Sequence, residues 1–237
     1  MTDGGGELTR PSAERVARRA LTLAAVVCRC GIEGQAANPA AEALRESVLY
    51  WVGEIGVAPE MEDEEMELLR TPVGKLSTRQ RVQGAWRGEG LAVLVWALGR
   101  CELPPYDVPA VPYEIAQAIG FREPAQDTVL AGPRLRSNGE LNALADDLFS
   151  VHWRLREYSL AGKAIDFVAV AKEAWFGSRP ISNLRLADGD LEIRGVPISS
   201  APEPAWREVM SIARERQQAA NWLIGLESLY SNVRSDT

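Results

Sequence analysis

The stretch from Gln83 to Gly99, QGAWRGEGLAVLVWALG, constrains the fold more than any other part of the chain. Its second half, Leu91 to Leu98, is an unbroken apolar run. Such a run is either a buried strand or part of a helix covered on most sides. Leucine, alanine and tryptophan outnumber the β-branched residues, and the run prolongs a helical pattern that begins near Ser77, so a helix is expected. Trp86, Glu89, Val93 and Trp96 stand at i, i+3, i+7 and i+10, which places one carboxylate on the same stripe as two indoles. This is the central helix of a globular core, and its one charge needs a partner.

The flanking sequence reads as further helices. Pro11 opens one that runs to about Cys30 and is ended by Gly31, with Val16, Ala20, Leu23 and Val27 on one face. Arg18-Arg19 before ALTLAAVVC imitates a lipoprotein signal, but Val27 stands where a small residue is wanted and the apolar run is short. Asn38-Pro39 starts a second helix reaching about Gly53, and Pro59 a third, PEMEDEEMELLR, whose Met61, Leu68 and Leu69 form one apolar edge beside an acidic remainder. Four prolines between Cys101 and Pro112 break the helical pattern. A short helix, YEIAQAIGF, follows, then a long one capped by Ser137 or Asn138 that reaches about Tyr158, and another from Gly162 to Trp175.

The one β signal is LRLADGDLEI. With Asp188-Gly189 as a two-residue type I′ turn, Leu186 faces Leu191, Leu184 faces Ile193, and Arg185 faces Glu192 on the other side. After a loop from Pro197 to Pro204, a last helix runs from Trp206 to about Tyr230. It carries two apolar seams: Trp206, Met210, Ala213, Ala220 and Ile224, and Val209, Ile212, Ala219, Leu223 and Leu226. The expected architecture is all-α (mainly α). It is a bundle-like multi-helix single domain over residues 11–237, with a small hairpin around Asp188-Gly189 and a disordered lead over residues 1–10.

At 237 residues the chain can bury a sizeable core. Its net charge of −7 argues against nucleic acid or an anionic membrane as the partner. No run approaches the roughly 18 apolar residues of a spanning helix. Cys28, Cys30 and Cys101 fit no disulfide framework, and with no convincing targeting signal a cytoplasmic location is expected.

RRALTLAAVV near the start, WRGEGLAVLVWALG in the middle, HWRLRE, and SIARERQQAANWLIG with a terminal SDT together resemble the bacterial domain of unknown function 4272 family, over about Pro11 to Thr237. The resemblance implies a mostly helical intracellular protein and carries no catalytic signature. Members of that family often have a histidine beside the last helix's Glu-Arg pair, where this chain has Gln217 after Arg216. A function resting on that histidine would be missing here.

Three groups of residues are candidates for chemistry or binding. Glu89 and Arg216 are opposite charges on the apolar seams of two helices, and they are expected to pair inside the core, although Arg19 or Arg87 are alternative partners for Glu89. In a cleft, the same carboxylate would be a base or a ligand anchor. His152, the sole histidine, has Arg154 nearby but no GxSxG or other nucleophile motif, so it is read as a hydrogen-bonded structural residue. Asn221-Trp222, an amide beside an indole, suits a polar pocket floor, while the seven tryptophans mainly fill the core. Cys28-x-Cys30 lacks a second ligand pair and no phosphate-loop motif occurs, so neither metal nor cofactor is expected.

Two functions from different classes remain open. One is a non-enzymatic protein-binding module, with Glu62, Asp63, Glu64 and Glu65 docking a basic protein, as an immunity protein docks a toxin. The other is an enzyme or small-ligand receptor whose cleft is lined by Glu89, His152, Arg154 and Arg216. Convergence of those four residues on an open pocket favours the second, and a sealed core favours the first. The oligomeric state is left open.

Overall fold

The computed structural model describes residues 9–173 and 181–234. Eight α-helices account for most of them: α1 (Ala13–Glu33), α2 (Ala41–Glu54), α3 (Asp63–Arg70), α4 (Thr78–Ala97), α5 (Pro112–Ala118), α6 (Asn138–Ala161), α7 (Phe167–Glu173) and α8 (Glu203–Leu223). The fold is mainly α.

The polar caps lie where the sequence places them. Ser77 accepts from the Gln80 amide while Gln80 reaches back to the Ser77 amide, and Ser137 and Glu140 repeat the arrangement at α6. Other boundaries move. Gly31 does not end α1, because Ile32 is buried and the Arg29–Glu33 pair continues across the turn, so the helix closes at Gly34. Asn38 caps a turn through a bond from the Ala40 amide, and α2 begins only at Ala41. Pro59 belongs to a single 3-10 turn, and the acidic helix starts at Asp63 with Glu65 bonded back to the Glu62 amide. Gly162 is the left-handed cap of α6, so α7 begins at Phe167; Trp175 lies outside the described residues.

The last helix starts earlier and stops earlier than its apolar seams suggest. It begins at Glu203 and ends at Leu223, where Gly225, at φ 85°, lets its amide reach Trp222 O (3.0 Å) and the Leu226 amide reach Asn221 O (3.1 Å). This paired closure terminates a helix by satisfying its final carbonyls. Leu226 therefore leaves the seam and is half exposed.

The hairpin forms with the expected register: Leu186 pairs with Leu191 in β1 (Leu186–Ala187) and β2 (Asp190–Ile193), across Asp188 and Gly189 at φ 50° and 77°. A third strand, β3 (Val196–Pro197), forms at the edge of the loop expected from Pro197 to Pro204 and overlaps it only at Pro197. Arg194-Gly195, at φ 52° and 89°, turns the chain back onto β2 in the same way.

Helix α4 packs between α1 and α8, and α6 packs on the far side of α8. Glycine makes the close approaches: Gly84 lies against Cys30 Sγ and Gly90 against the Tyr230 hydroxyl, where a Cβ would collide. Two apolar clusters result. The larger gathers α1 to α5 with the start of α6 and the end of α8; the smaller joins the end of α6, α7, the hairpin and the start of α8. Residues 1–8 of the lead lie outside the described residues, and Arg10 bonds Asn138 (2.9 Å) and Asn142 (2.6 Å) on α6.

Candidate functional site

Arg216 is fully buried on α8, and its guanidinium donates to four acceptors. Nε reaches Glu89 Oε2 (2.8 Å), and the terminal nitrogens reach the carbonyls of Pro104 (2.8 Å), Pro105 (3.0 Å) and Val108 (2.8 Å). The other oxygen of Glu89 accepts from the Ala110 amide (2.9 Å). One ion pair thus fastens the proline-rich crossing between α4 and α5 to both core helices. Prolines supply carbonyls and no amides, so this segment needs a donor rich in N–H groups, which arginine is. Burial pulls the Arg216 guanidinium below its ordinary value, and Glu89 opposes that.

Arg154 is equally sealed. It holds Asp190 with two bonds of 2.6 Å, and also reaches Glu157 (2.7 Å) and the Lys163 carbonyl (2.9 Å). This fork ties the first residue of β2 to α6. His152 is 4% exposed, and its Nδ1 makes a hydrogen-bond contact with the Gln217 side-chain amide. The bond involves the position where the family resemblance leads one to look for a histidine.

Glu89, His152, Arg154 and Arg216 therefore do not converge. Arg216 borders a groove of about 380 Å³ under Pro104, Pro105 and Asn183. His152 floors a different cleft of about 580 Å³ between α6 and α8. Neither groove includes Glu89 or Arg154. Asn221 and Trp222 face the C-terminal segment: Asn221 Nδ2 donates to Arg234 O (3.3 Å), and the fully buried Trp222 donates to Ser228 O (3.4 Å) and packs edge-on against Tyr230.

The acidic residues from Glu60 to Glu67 divide into two roles. Glu65 pairs with the buried Arg19, Glu60 with Arg15 (3.3 Å), and Glu62 accepts from the Ser231 amide (3.0 Å). Burial raises the Glu60 carboxyl above its usual value against the pull of Arg15. Asp63, Glu64 and Glu67 remain exposed. Glu64 and Glu67 line a groove of about 420 Å³ between α3 and α4, floored by Val26, Leu68 and Gly84 and closed by Arg79 and Arg87. Among the described residues, no group of three or more His, Cys, Asp or Glu side chains is placed to hold a metal ion.

The family described as "Domain of unknown function (DUF4272)" matches residues 2–171. The chain belongs to that family. The DUF4272 match ends within α7, so Glu89, His152, Arg154 and the acidic helix lie inside it, while Asp190, Arg216 and Gln217, which complete their bonds, lie beyond. No curated protein and no solved structure matches the chain.

Sequence reasoning missed Asp190 and Asp107. Asp107 is buried in the proline-rich segment, where it pairs with Arg185 and accepts from the Arg194 amide (2.9 Å). An isolated aspartate among four prolines was the available signal.

Proposed function

We propose that this DUF4272 chain is a non-enzymatic protein-binding module that docks a basic partner on the exposed carboxylates of α3 and the adjoining groove. The observation that carries the reading is the state of the Glu89–Arg216 pair. Both groups are sealed, every Arg216 nitrogen has an acceptor, and both Glu89 oxygens are engaged, so neither is available as a base or a ligand anchor. Asp63, Glu64 and Glu67, in contrast, are carboxylates at the surface beside a part-apolar groove. Rim charges of this kind steer a partner of opposite sign and set register. Neutralising a basic toxin, as immunity proteins do, is one concrete form.

We assign the protein to a reducing cytoplasm. Its three cysteines are free thiols, and no described helix is long and apolar enough to cross a membrane.

The structure refines which carboxylates to test. Neutralising Glu62 or Glu65 would disturb the start of α3 and the Arg19 pair, whereas Asp63→Asn, Glu64→Gln and Glu67→Gln alter only exposed groups. Titrating isotope-labelled protein with a lysine- and arginine-rich peptide should shift amide resonances in α3 and the first half of α4, and the triple variant should lose those shifts. Shifts scattered over the surface, or identical in the variant, would refute the docking face.

A further inference from the structure

We propose that the cleft between α6 and α8 binds a phosphate ester of small-molecule size. Each helix presents one stripe to it. His152, Arg156 and Ser159 stand at i, i+4 and i+7 on α6, and Arg207, Ser211 and Arg214 repeat that spacing on α8. The half-open cleft, of about 580 Å³, falls within the range of small-ligand sites.

Among the described residues the lining is three guanidiniums, an imidazole and two hydroxyls, with no carboxylate. Arg207 shares an exposed contact with Glu203 (2.7 Å) one turn away, but Arg156 and Arg214 form no ion pair with the described residues. Glu215, beside Arg214 in sequence, is directed to Arg87 instead (3.4 Å). In a chain of net charge −7, a cleft lined by three arginines is a local inversion of the surface field, and an anion bound there relieves the repulsion between its walls.

Arginine rather than lysine makes the choice of anion narrower. Its planar fork matches two oxygens of a tetrahedral phosphate at once, while the Ser159 and Ser211 hydroxyls donate to the carbonyls of Arg156 (2.7 Å) and Arg207 (3.2 Å) in their own helices. His152 is nine-tenths buried at the floor, held in place by Gln217. Met210 and the exposed Leu160 complete the wall with apolar surface. That surface calls for an organic body, hence an ester and not free phosphate. The overall negative charge disfavours an extended polyanion.

The test is calorimetric titration of the full chain with AMP, glucose 6-phosphate, inorganic phosphate, adenosine and a ten-nucleotide single-stranded RNA. The site predicts saturable binding of at least one phosphate ester, none of adenosine, and weakening on adding salt. Arg156→Ala and Arg214→Ala should each weaken ester binding about tenfold, the loss expected for one charge-assisted bonding group. Both arginines are exposed, so an unchanged urea midpoint will show the variants folded. The proposal is overturned by no ester binding at millimolar concentration, by binding that both variants retain, by inorganic phosphate binding as tightly as the esters, or by the RNA binding more tightly than any of them.

Discussion

Replacing Arg216 by methionine removes a buried cation while keeping most of its volume. The loss strands Glu89 in the core with the Ala110 amide as its remaining partner, and leaves the Pro104, Pro105 and Val108 carbonyls without their donor. Removing one member of a buried pair costs about 3–5 kcal/mol. Carbonyls in the surface-facing part of the crossing will recover water, so the upper value is a ceiling. Against a total stability of about 5–15 kcal/mol for a domain, roughly a fifth or more of the fold's margin would go. Glu89→Gln keeps an acceptor for Arg216 and should cost less, about 1–3 kcal/mol. In the double variant no unpaired charge is left inside, so its cost should fall short of the sum by about 1–3 kcal/mol. Urea unfolding followed by tryptophan fluorescence gives all four corners of this cycle. Limited proteolysis should also show new cleavage between residues 104 and 110 in R216M. An R216M cost below about 1 kcal/mol, or a double variant equal to the sum of the singles, would refute the assignment of the pair as the clamp of this segment.

Three further outcomes follow from the packing and the charges. Gly90 lies against the Tyr230 hydroxyl, which has no hydrogen-bond partner among the described residues and whose ionisation burial pushes up. Tyr230→Phe should therefore leave stability unchanged or raise it, Gly90→Ala should cost about 1–3 kcal/mol by overpacking, and the double variant should recover much of that in a thermal melt. Burial alone would raise Glu33, but bonds from Arg29 and from the Gly74 and Leu76 amides bring it below its ordinary value of 4.5. A lowered folded-state value means that Glu33 stabilises the fold above pH 4.5 and that this contribution is lost as pH falls through the folded value, so Glu33→Gln should flatten the acid limb of urea midpoint against pH. Cys30 is buried against Gly84 with its thiol pushed up to about 11 by burial, so a thiol reagent near neutral pH should label it last in the native protein and readily in urea.

Patterns with one strong local cause were legible in the sequence. The hairpin register followed from Asp188-Gly189, because only one alignment of that turn pairs leucine with leucine. The Glu89–Arg216 bond followed from the cost of a lone charge on an apolar seam, and Ser77 and Ser137 announced their helices by cap chemistry. What failed were boundaries decided by packing. Gly31 reads as a stop, yet the buried Ile32 and the Arg29–Glu33 pair carry the helix through it; the seams of α8 run on to Leu226, yet Gly225 closes the helix first. The acidic helix looked uniformly solvated because Arg15 and Arg19, which claim Glu60 and Glu65, lie more than forty residues away. The cationic stripe of Arg156, Arg207 and Arg214 was present at regular helical spacing, but only the pairing of α6 with α8 brings its halves together.

The docking face itself is tested most directly by affinity capture from an extract of the protein's own cells, with wild type and the Asp63→Asn/Glu64→Gln/Glu67→Gln variant run in parallel at about 0.1 M and about 1 M salt, where the screening length falls from ~10 Å to ~3 Å. The account predicts a basic protein recovered in stoichiometric amount by the wild type at low salt, and lost both at high salt and in the variant. Recovery of no partner, or of the same partner by the variant, would contradict it.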